Sequence, residues 1–493
     1  MLMRIDQESP PAPPIALTAT EAIMISFPRQ VLDRLPLAEA ALWLWSYCLR
    51  PDFLDGVFQR HRGRSFELVL TFPTFLDLIA DALLQHGGKA RPALLRARRD
   101  GAMPTQPRAF YCKLAGVPLE LSLGLLEEAT ARLRDLLPPA FTAVPLPASL
   151  AGLTVVLLDG KKIKEAAKRL LPARGAPGKV YGGKLLAALV PATGLVVAMA
   201  ADPDGEANDC RLVPQVLPRA RDRIAGPRLW VADRQFRGFD QIARFSEHGD
   251  HYLIRQTKKI QFHADPARAA RTGTDPRGRT VIEQWGWLGA ATQKRRPYVR
   301  RITLIRPGEE EIVLVTDLLE AETYPADDLL AAYLARWGIE RVFQQVTEVF
   351  SLQQLIGSTP EATVFQGAFC MLLYNLIQVV RAQVAAGRPE PCPVESLSSE
   401  QIFTDLRRQL IALTELVPPA EVAALFPERV GLEDVTGRLG GSLARAWQPH
   451  WIKAVNKKPR PKVVTVKQSG AHTSIHKILQ QYRKERAETP APS

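Results

Sequence analysis

The stretch LTVVLLDG, residues 153–160, is the segment from which the fold of this chain is best read. It is a short run of Leu and Val that ends in Asp159, and similar runs follow at 184–191, 194–201 and 227–234. Short apolar runs rich in Val and Leu and bounded by Gly, Pro or charge are typical of buried strands. A helical pattern at 208–224 separates the third run from the fourth. The order strand, strand, strand, helix, strand predicts an α/β fold.

Two aspartates stand at the ends of these predicted strands. Asp159 closes the run TVVLLD, and Asp233 closes the run LWVAD. In α/β sheets reactive groups gather at strand ends, because the rigid sheet fixes them while the edge stays open. A single Asp after an apolar run is also an ordinary turn former or helix cap. The pair therefore gains meaning only if a third carboxylate joins it.

A third carboxylate lies in YLARWGIERVFQQVTE, residues 333–348. With about 3.6 residues per turn, one helical face would carry Tyr333, Arg336, Glu340 and Thr347. The helical pattern begins at 325, where a Pro followed by two Asp residues is typical of a helix start. This places a carboxylate between a cation and a phenol on a predicted amphipathic helix.

Three carboxylates in one place would repel one another and shift their pKa values unless a cation neutralised them. The set Asp159, Asp233 and Glu340 therefore predicts a hard divalent metal, most naturally Mg²⁺ with Mn²⁺ as a substitute. Two such ions about 4 Å apart would activate a water or 3′-hydroxyl and stabilise the leaving oxygen of a phosphoryl displacement. Arg336, one turn before Glu340, can bind a phosphate in bidentate fashion.

Tyr333, Arg336 and Glu340 match the signature Y-(2)-R-(3)-E-(6)-K in type and spacing, while Thr347 stands where the signature has Lys. By these residues the chain resembles the DDE transposases of bacterial insertion sequences, in the insertion sequence 4 group. The resemblance covers about residues 150–380. It implies an RNase H-like catalytic core with the three carboxylates as the catalytic, metal-binding triad.

The resemblance further implies metal-dependent strand cleavage and strand transfer at the ends of an insertion sequence. The partner would be double-stranded DNA, both transposon ends and target, bound by a homodimer. The expected organisation follows the chain: a disordered Pro-rich N-terminus, a helical DNA-binding domain with a linker, the catalytic core with a β-rich insertion at about 245–325, and a helical C-terminal segment with a basic tail, at 1–28, 29–150, 151–390 and 391–493 respectively.

Further DNA contacts are predicted around the core. Strand alternation would expose Trp285 and Trp287 on one face, with five bases nearby in QKRRPYVRR at 293–301. Aromatic side chains and neighbouring bases hold unpaired DNA by stacking and phosphate contacts. Packing of a Trp in a small β core is the structural alternative. Lys161 or Lys162 is expected to supply the phosphate contact that Thr347 cannot.

Composition sets the wider limits. The 493 residues hold 64 Lys and Arg against 51 Asp and Glu, a net charge of +13, and 451–493 contribute ten bases and two acids. This excess suits a polyanionic partner, although a basic tail is often only a solvated end. The five Cys residues are scattered, which fits a reducing, cytoplasmic setting near the nucleoid. The apolar run at 365–380 predicts a buried helix rather than a membrane span.

Two further stretches resemble motifs of other functions but lack a required residue. GKVYGGKL at 178–185 lacks the Ser or Thr of a nucleotide-binding loop and precedes a strand, and HTSIH at 472–476 lacks the Glu of a zinc helix. Two alternatives remain open: a decayed or domesticated copy that binds DNA without catalysis, and an RNase H-like nuclease that cuts without strand transfer.

Overall fold

The computed structural model describes residues 27–488 except 140, 164, 165, 167, 258, 259, 295, 389, 391, 428 and 454–470. The strands are β1 (Thr154–Lys162), β2 (Lys179–Tyr181), β3 (Lys184–Val190), β4 (Leu195–Asp202), β5 (Arg228–Ala232), β6 (His251–Arg255), β7 (Phe262–Ala264), β8 (Arg271–Thr274), β9 (Thr280–Leu288), β10 (Tyr298–Leu304), β11 (Ile312–Thr316) and β12 (His472–Ser474). The predicted disordered N-terminus falls almost wholly outside the described residues.

The helices lie before, between and after the strands. They are α1 (27–33), α2 (Pro36–Cys48), α3 (Pro51–His61), α4 (Phe72–Leu84), α5 (Ala90–Arg99), α6 (Pro107–Ala115), α7 (Leu119–Arg134), α8 (Val213–Arg223), α9 (Phe239–Phe245), α10 (Ala326–Leu334), α11 (Trp337–Glu348), α12 (Pro360–Ala386), α13 (Ser399–Leu416), α14 (Pro419–Ala424), α15 (Leu432–Ala444) and α16 (Ile475–Glu488).

One mixed sheet organises the molecule, in the order β4-β3-β1-β5-β6-β11-β10-β9-β7, with β8 paired to β9. The pairs among β4, β3 and β1 are antiparallel, whereas β1, β5 and β6 run parallel. All four apolar runs predicted as strands are strands of this sheet, and α8 lies between β4 and β5 as predicted. The α/β prediction is therefore confirmed.

The central strands are continuous apolar runs because helices cover both faces of the sheet. Every residue of β3 and β5 is buried. Along β1, Leu157 packs into the large apolar cluster that includes residues of α7, α11 and α12, while Val156 and Leu158 pack into a second cluster with α8 and α9. Alternate side chains of β1 therefore face different helical layers, a fact that decides which residues reach the site.

The β-rich segment predicted at about 245–325 is present but does not form a sheet of its own. Its first strand, β6, pairs in parallel with β5, and β11 pairs antiparallel with β6. From there β10 and β9 continue the same sheet. The segment thus extends the central sheet, because β6 supplies a free edge on which the later strands add.

The apolar run at 365–380 lies within α12, a helix of 27 residues whose most apolar window is entirely buried. By length and composition α12 could cross a membrane, and so could α6 and α7 taken together despite the 90° bend between them. In this structure α12 packs against α7, α13 and β4. The prediction of a buried helix is confirmed, although the helix is longer than the run that predicted it.

The N-terminal helices share the large apolar cluster with α12 and one face of the sheet. Helix α2 packs against α13 and α15, and α7 packs against α12 and β4. At the other end of the chain, β12 pairs in parallel with β2. The strands approach so closely that a Cβ on Gly178, whose φ is +65°, would lie 1.6 Å from the Ala471 carbonyl oxygen. The predicted domain boundaries at 150 and 390 stay predictions.

Candidate active site

Asp159 and Asp233 lie side by side at one end of the parallel strands. Leu158 pairs with Ala232, so the next residue on each strand is an aspartate. Paired strands lie about 4.8 Å apart, which sets the scale of the separation between the two backbones. Asp159 accepts a hydrogen bond from the Gly160 amide (2.9 Å), and Asp233 accepts one from the Gln235 amide (2.8 Å). By alternation Asp159 shares the face of Leu157, where α11 packs against β1.

The segment with Tyr333, Arg336 and Glu340 is not the single helix predicted from the sequence. Helix α10 ends at Leu334 and α11 begins at Trp337, with Arg336 as the residue that precedes its first turn. The Arg336 guanidinium donates to Glu340 (2.9 Å) and lies 3.6 Å from the Asp159 carboxylate. Arg336 therefore joins a carboxylate on the strand to a carboxylate on the helix.

The electrostatics of the site follow from this crowding. Burial raises the pKa of Asp159 to about 6; the Arg336 guanidinium opposes that rise, and the charges of Asp233 and Glu340 add to it. Burial lowers the pKa of Arg336, but Tyr333, Asp159 and Glu340 outweigh burial and raise its pKa above the usual value. Asp159 thus interacts electrostatically with both other predicted carboxylates and with the buried Arg336.

The donor set fits a hard divalent cation, since carboxylate oxygens are the ligands that Mg²⁺ prefers. Among the described residues, however, no three His, Cys, Asp or Glu side chains are arranged to hold one ion. At this site the Arg336 guanidinium lies between Asp159 and Glu340. The Glu340 side chain is 40% exposed and pairs with Arg336.

The structure separates the two lysines proposed to replace the missing signature Lys. Lys161 shares the face of Asp159, and its ammonium lies 5.9 Å from the Phe343 ring on α11. Lys162 points to the other face and lies 5.6 Å from the Tyr181 ring. Thr347 donates its hydroxyl to the Phe343 carbonyl (2.6 Å) within its own helix. Lys161 is therefore the better placed of the two, and its contact with DNA stays a prediction.

The expectation that both insertion tryptophans are exposed is wrong for Trp285. Its side chain is 1% exposed, and its indole N–H donates to the Leu319 carbonyl (2.9 Å). Trp287 is partly exposed, and its ring lies 5.0 Å from that of Tyr298. Alternation places the two on one face, but residues flanking β9 cover only Trp285. A DNA contact stays a prediction for Trp287 and is dropped for Trp285.

One aromatic residue at the site was missed by the sequence analysis. Trp337, the first residue of α11, is 52% exposed, and its ring lies 5.6 Å from the Arg336 guanidinium. An exposed Trp beside a carboxylate cluster is a better stacking surface than a Trp in a sheet core. Its position next to Arg336 in the signature was the signal, and the expectation of one unbroken helix concealed its place at a helix start.

Comparison with protein families agrees with this arrangement. Residues 151–376 match the family model of the transposase DDE domain. The match supports a transposase DDE domain over this stretch of the chain. No curated protein matches the chain. The matched region begins just before β1 and ends within α12, so it contains all three carboxylates.

Proposed function

We propose that this protein is an insertion-sequence transposase that cleaves DNA at the element's ends and joins it to a target. The observation that carries the proposal is the placement of Asp159 and Asp233 at adjacent parallel strand ends, with Arg336 lying between Asp159 and Glu340. The strand order β4-β3-β1-β5-β6, antiparallel and then parallel, supports an RNase H-like core. The signature residues support membership of the insertion sequence 4 group.

In the proposed site Asp159, Asp233 and Glu340 would hold Mg²⁺, or Mn²⁺ in its place. When bound, the ions supply an activated water or 3′-hydroxyl and stabilise the leaving oxygen. The protein's own contribution is placement. The strands fix the two aspartates, and α11 brings Glu340 and Arg336 toward them. Arg336 would bind a phosphate of the DNA, with the Trp337 ring next to it. Lys161, near Phe343 on α11, would supply a second phosphate contact.

The direct test is cleavage of the DNA that flanks the protein's own gene, with Mg²⁺ and with Mn²⁺. We expect Asp233→Ala and Glu340→Ala to abolish cleavage while DNA affinity stays close to that of the wild type, because metal chemistry and phosphate contacts are separate. Glu348→Ala is the matched control, since Glu348 is an exposed carboxylate on the same helix. Equal cleavage by all four proteins would contradict the proposed site.

The same assay separates the alternatives. Joining of the cut end to a second duplex identifies a transposase, whereas cutting without joining identifies an RNase H-like nuclease. A wild-type protein that is inert with both metals, yet binds its element's ends, would be a decayed copy. Recovery of cutting by Thr347→Lys would then locate the decay at the signature position.

A further inference from the structure

A buried ion pair lies behind the proposed site, on the opposite face of the sheet. The Lys184 ammonium is 2.5 Å from the Asp209 carboxylate, and the two side chains are only 6% and 5% exposed. Lys184 begins β3 and pairs in register with Lys162 of β1, while Asp209 begins a short 3₁₀ turn before α8. Neither residue belongs to the signature or to the three carboxylates.

The Asp209 carboxylate occupies the place of the side chain that Gly160 lacks. A Cβ on Gly160 would lie 2.1 Å from the nearer Asp209 oxygen, against the 3.4 Å at which ordinary contact begins. Gly160 directly follows Asp159, so the two residues present opposite faces of β1. The carboxylate thus presses on the back of the strand at the point where Asp159 leaves its front.

The same 3₁₀ turn also contacts the residues that follow β5. The Cys210 thiol donates to the Gln235 carbonyl (3.2 Å), and the Gln235 amide donates to Asp233 (2.8 Å). One short turn, Asp209–Arg211, therefore touches the residue after Asp159 and the residue that Asp233 caps. It is a physical link between the end of β1 and the turn that follows β5.

We propose that Asp209 and Lys184 are positioning residues that set the separation of Asp159 and Asp233 from behind the sheet. This inference rests on the proposed function. Burying two charges is costly, and apolar side chains in their place are often as stable or more so. Stability alone therefore gives no reason for this pair. Placement does, because a displacement of about 1 Å at reacting groups costs about 10²-fold in rate.

The first test is Gly160→Ala, which requires β1 or the Asp209 side chain to shift. We expect single-turnover cleavage by the folded variant to fall about 10²-fold while its DNA affinity stays close to wild type. Gly152→Ala is the matched control, because nothing lies within 4 Å of its added methyl just before β1. The stabilisation of the protein by Mn²⁺ alone, read from melting temperature, should shrink for Gly160→Ala and persist for Gly152→Ala.

The second test removes the pair and keeps the sequence of β1. Lys184→Met with Asp209→Ala leaves no unpaired buried charge, so we expect a melting temperature at or above wild type and cleavage reduced about 10-fold, within the range for supporting residues. Adding Gly160→Ala to this variant should cost nothing further, since the place of the carboxylate is empty. The proposal would be overturned if Lys184→Met with Asp209→Ala left both the cleavage rate and the Mn²⁺ shift in melting temperature unchanged. This outcome counts even if Gly160→Ala fails to fold.

Failure of the proposed function and failure of the positioning role of Lys184 and Asp209 would give different results. If the wild type shows no cleavage, the proposed function fails, and the Mn²⁺ melting shift alone then tests whether the pair positions the aspartates. If the wild type cleaves, and Lys184→Met with Asp209→Ala matches it in cleavage rate and in the Mn²⁺ shift of melting temperature, only the positioning role fails.

Discussion

Two buried arginines, Arg300 in the sheet extension and Arg336 at the candidate site, show how differently one side chain is used. Arg300 is fully buried, pairs with Glu283, and donates to the Leu318 and Tyr324 carbonyls. Arg336 is almost as buried, yet its Nε has no hydrogen-bond partner in the described structure, and its ion pair with Asp159 is long at 3.6 Å.

The two arginines differ in whether protein acceptors engage the whole guanidinium group. Each guanidinium nitrogen of Arg300 donates to a protein acceptor. Moving the side chain would leave those acceptors without their donor. Arg336 shares its charge between two carboxylates, one of them 40% exposed. An arginine with spare donors among carboxylates can exchange partners when a phosphate or a cation arrives. The predictions below test this contrast.

The largest expected effect is on stability, at Arg300. Arg300→Ala leaves Glu283 and two carbonyls without their partner, and loss of one member of a buried pair costs about 3–5 kcal/mol. Denaturant unfolding should show this loss. Arg306→Ala is the control, because the Glu309 partner of Arg306 is 64% exposed and such surface pairs contribute about 1 kcal/mol or less. Equal losses in both variants would erase the contrast on the structural side.

The next effect is on activity, at Arg336. We expect Arg336→Ala to slow cleavage about 10²-fold, the usual cost of removing one preorganised charge donor. Its melting temperature should stay near that of the wild type, because Glu340 regains water and Asp159, whose pKa is already about 6, takes up a proton more readily. Arg336→Lys should recover only part of the rate, since Lys lacks the bidentate fork. A large loss of stability with normal cleavage would make Arg336 a second Arg300.

A smaller effect is expected from the tryptophans, which repeat the contrast. Trp337→Ala should weaken binding of a DNA end with unpaired bases by about 1–3 kcal/mol, the range for one base stacked on an aromatic ring. Binding of a fully paired duplex should change less. Trp287→Ala offers the parallel measurement on the sheet extension. Fluorescence anisotropy with matched paired and frayed DNA ends measures the affinity of each variant. Unchanged affinities for both variants would show that neither ring stacks on a base.

The smallest effect is expected at Thr347. Because Lys161 already lies near Phe343 on the adjoining turn, Thr347→Lys should leave cleavage the same or modestly faster. Cleavage of one end-containing duplex at fixed salt gives the comparison, measured for wild type, Thr347→Lys, Lys161→Ala and the variant that carries both substitutions. A loss in Lys161→Ala that Thr347→Lys repairs would identify Lys161 as the substitute. No loss in Lys161→Ala would leave the phosphate contact to other bases.

The sequence predicts the strands and their terminal aspartates well because those signals are local. An apolar run reports burial on both faces, and its last residue marks the sheet edge. The break between α10 and α11 was not predicted, since neither Ala335 nor Arg336 disfavours a helix. The covering of Trp285 and the pairing of Lys184 with Asp209 depend on residues distant in sequence. The two-residue alternation of a strand predicts which side chains share a face, but it does not predict which other elements cover that face.

The pairing of β12 with β2 has a consequence in time. About 290 residues separate the two strands along the chain. At about 5–20 residues per second, a ribosome needs roughly 15–60 s to bridge that distance. During that interval β2, and with it the surface beside Lys162 and Tyr181, lacks its neighbouring strand, although β1 precedes it and β5 follows it early in the interval. The growing chain therefore contains Asp159, Asp233 and Glu340 well before β12 can pair with β2.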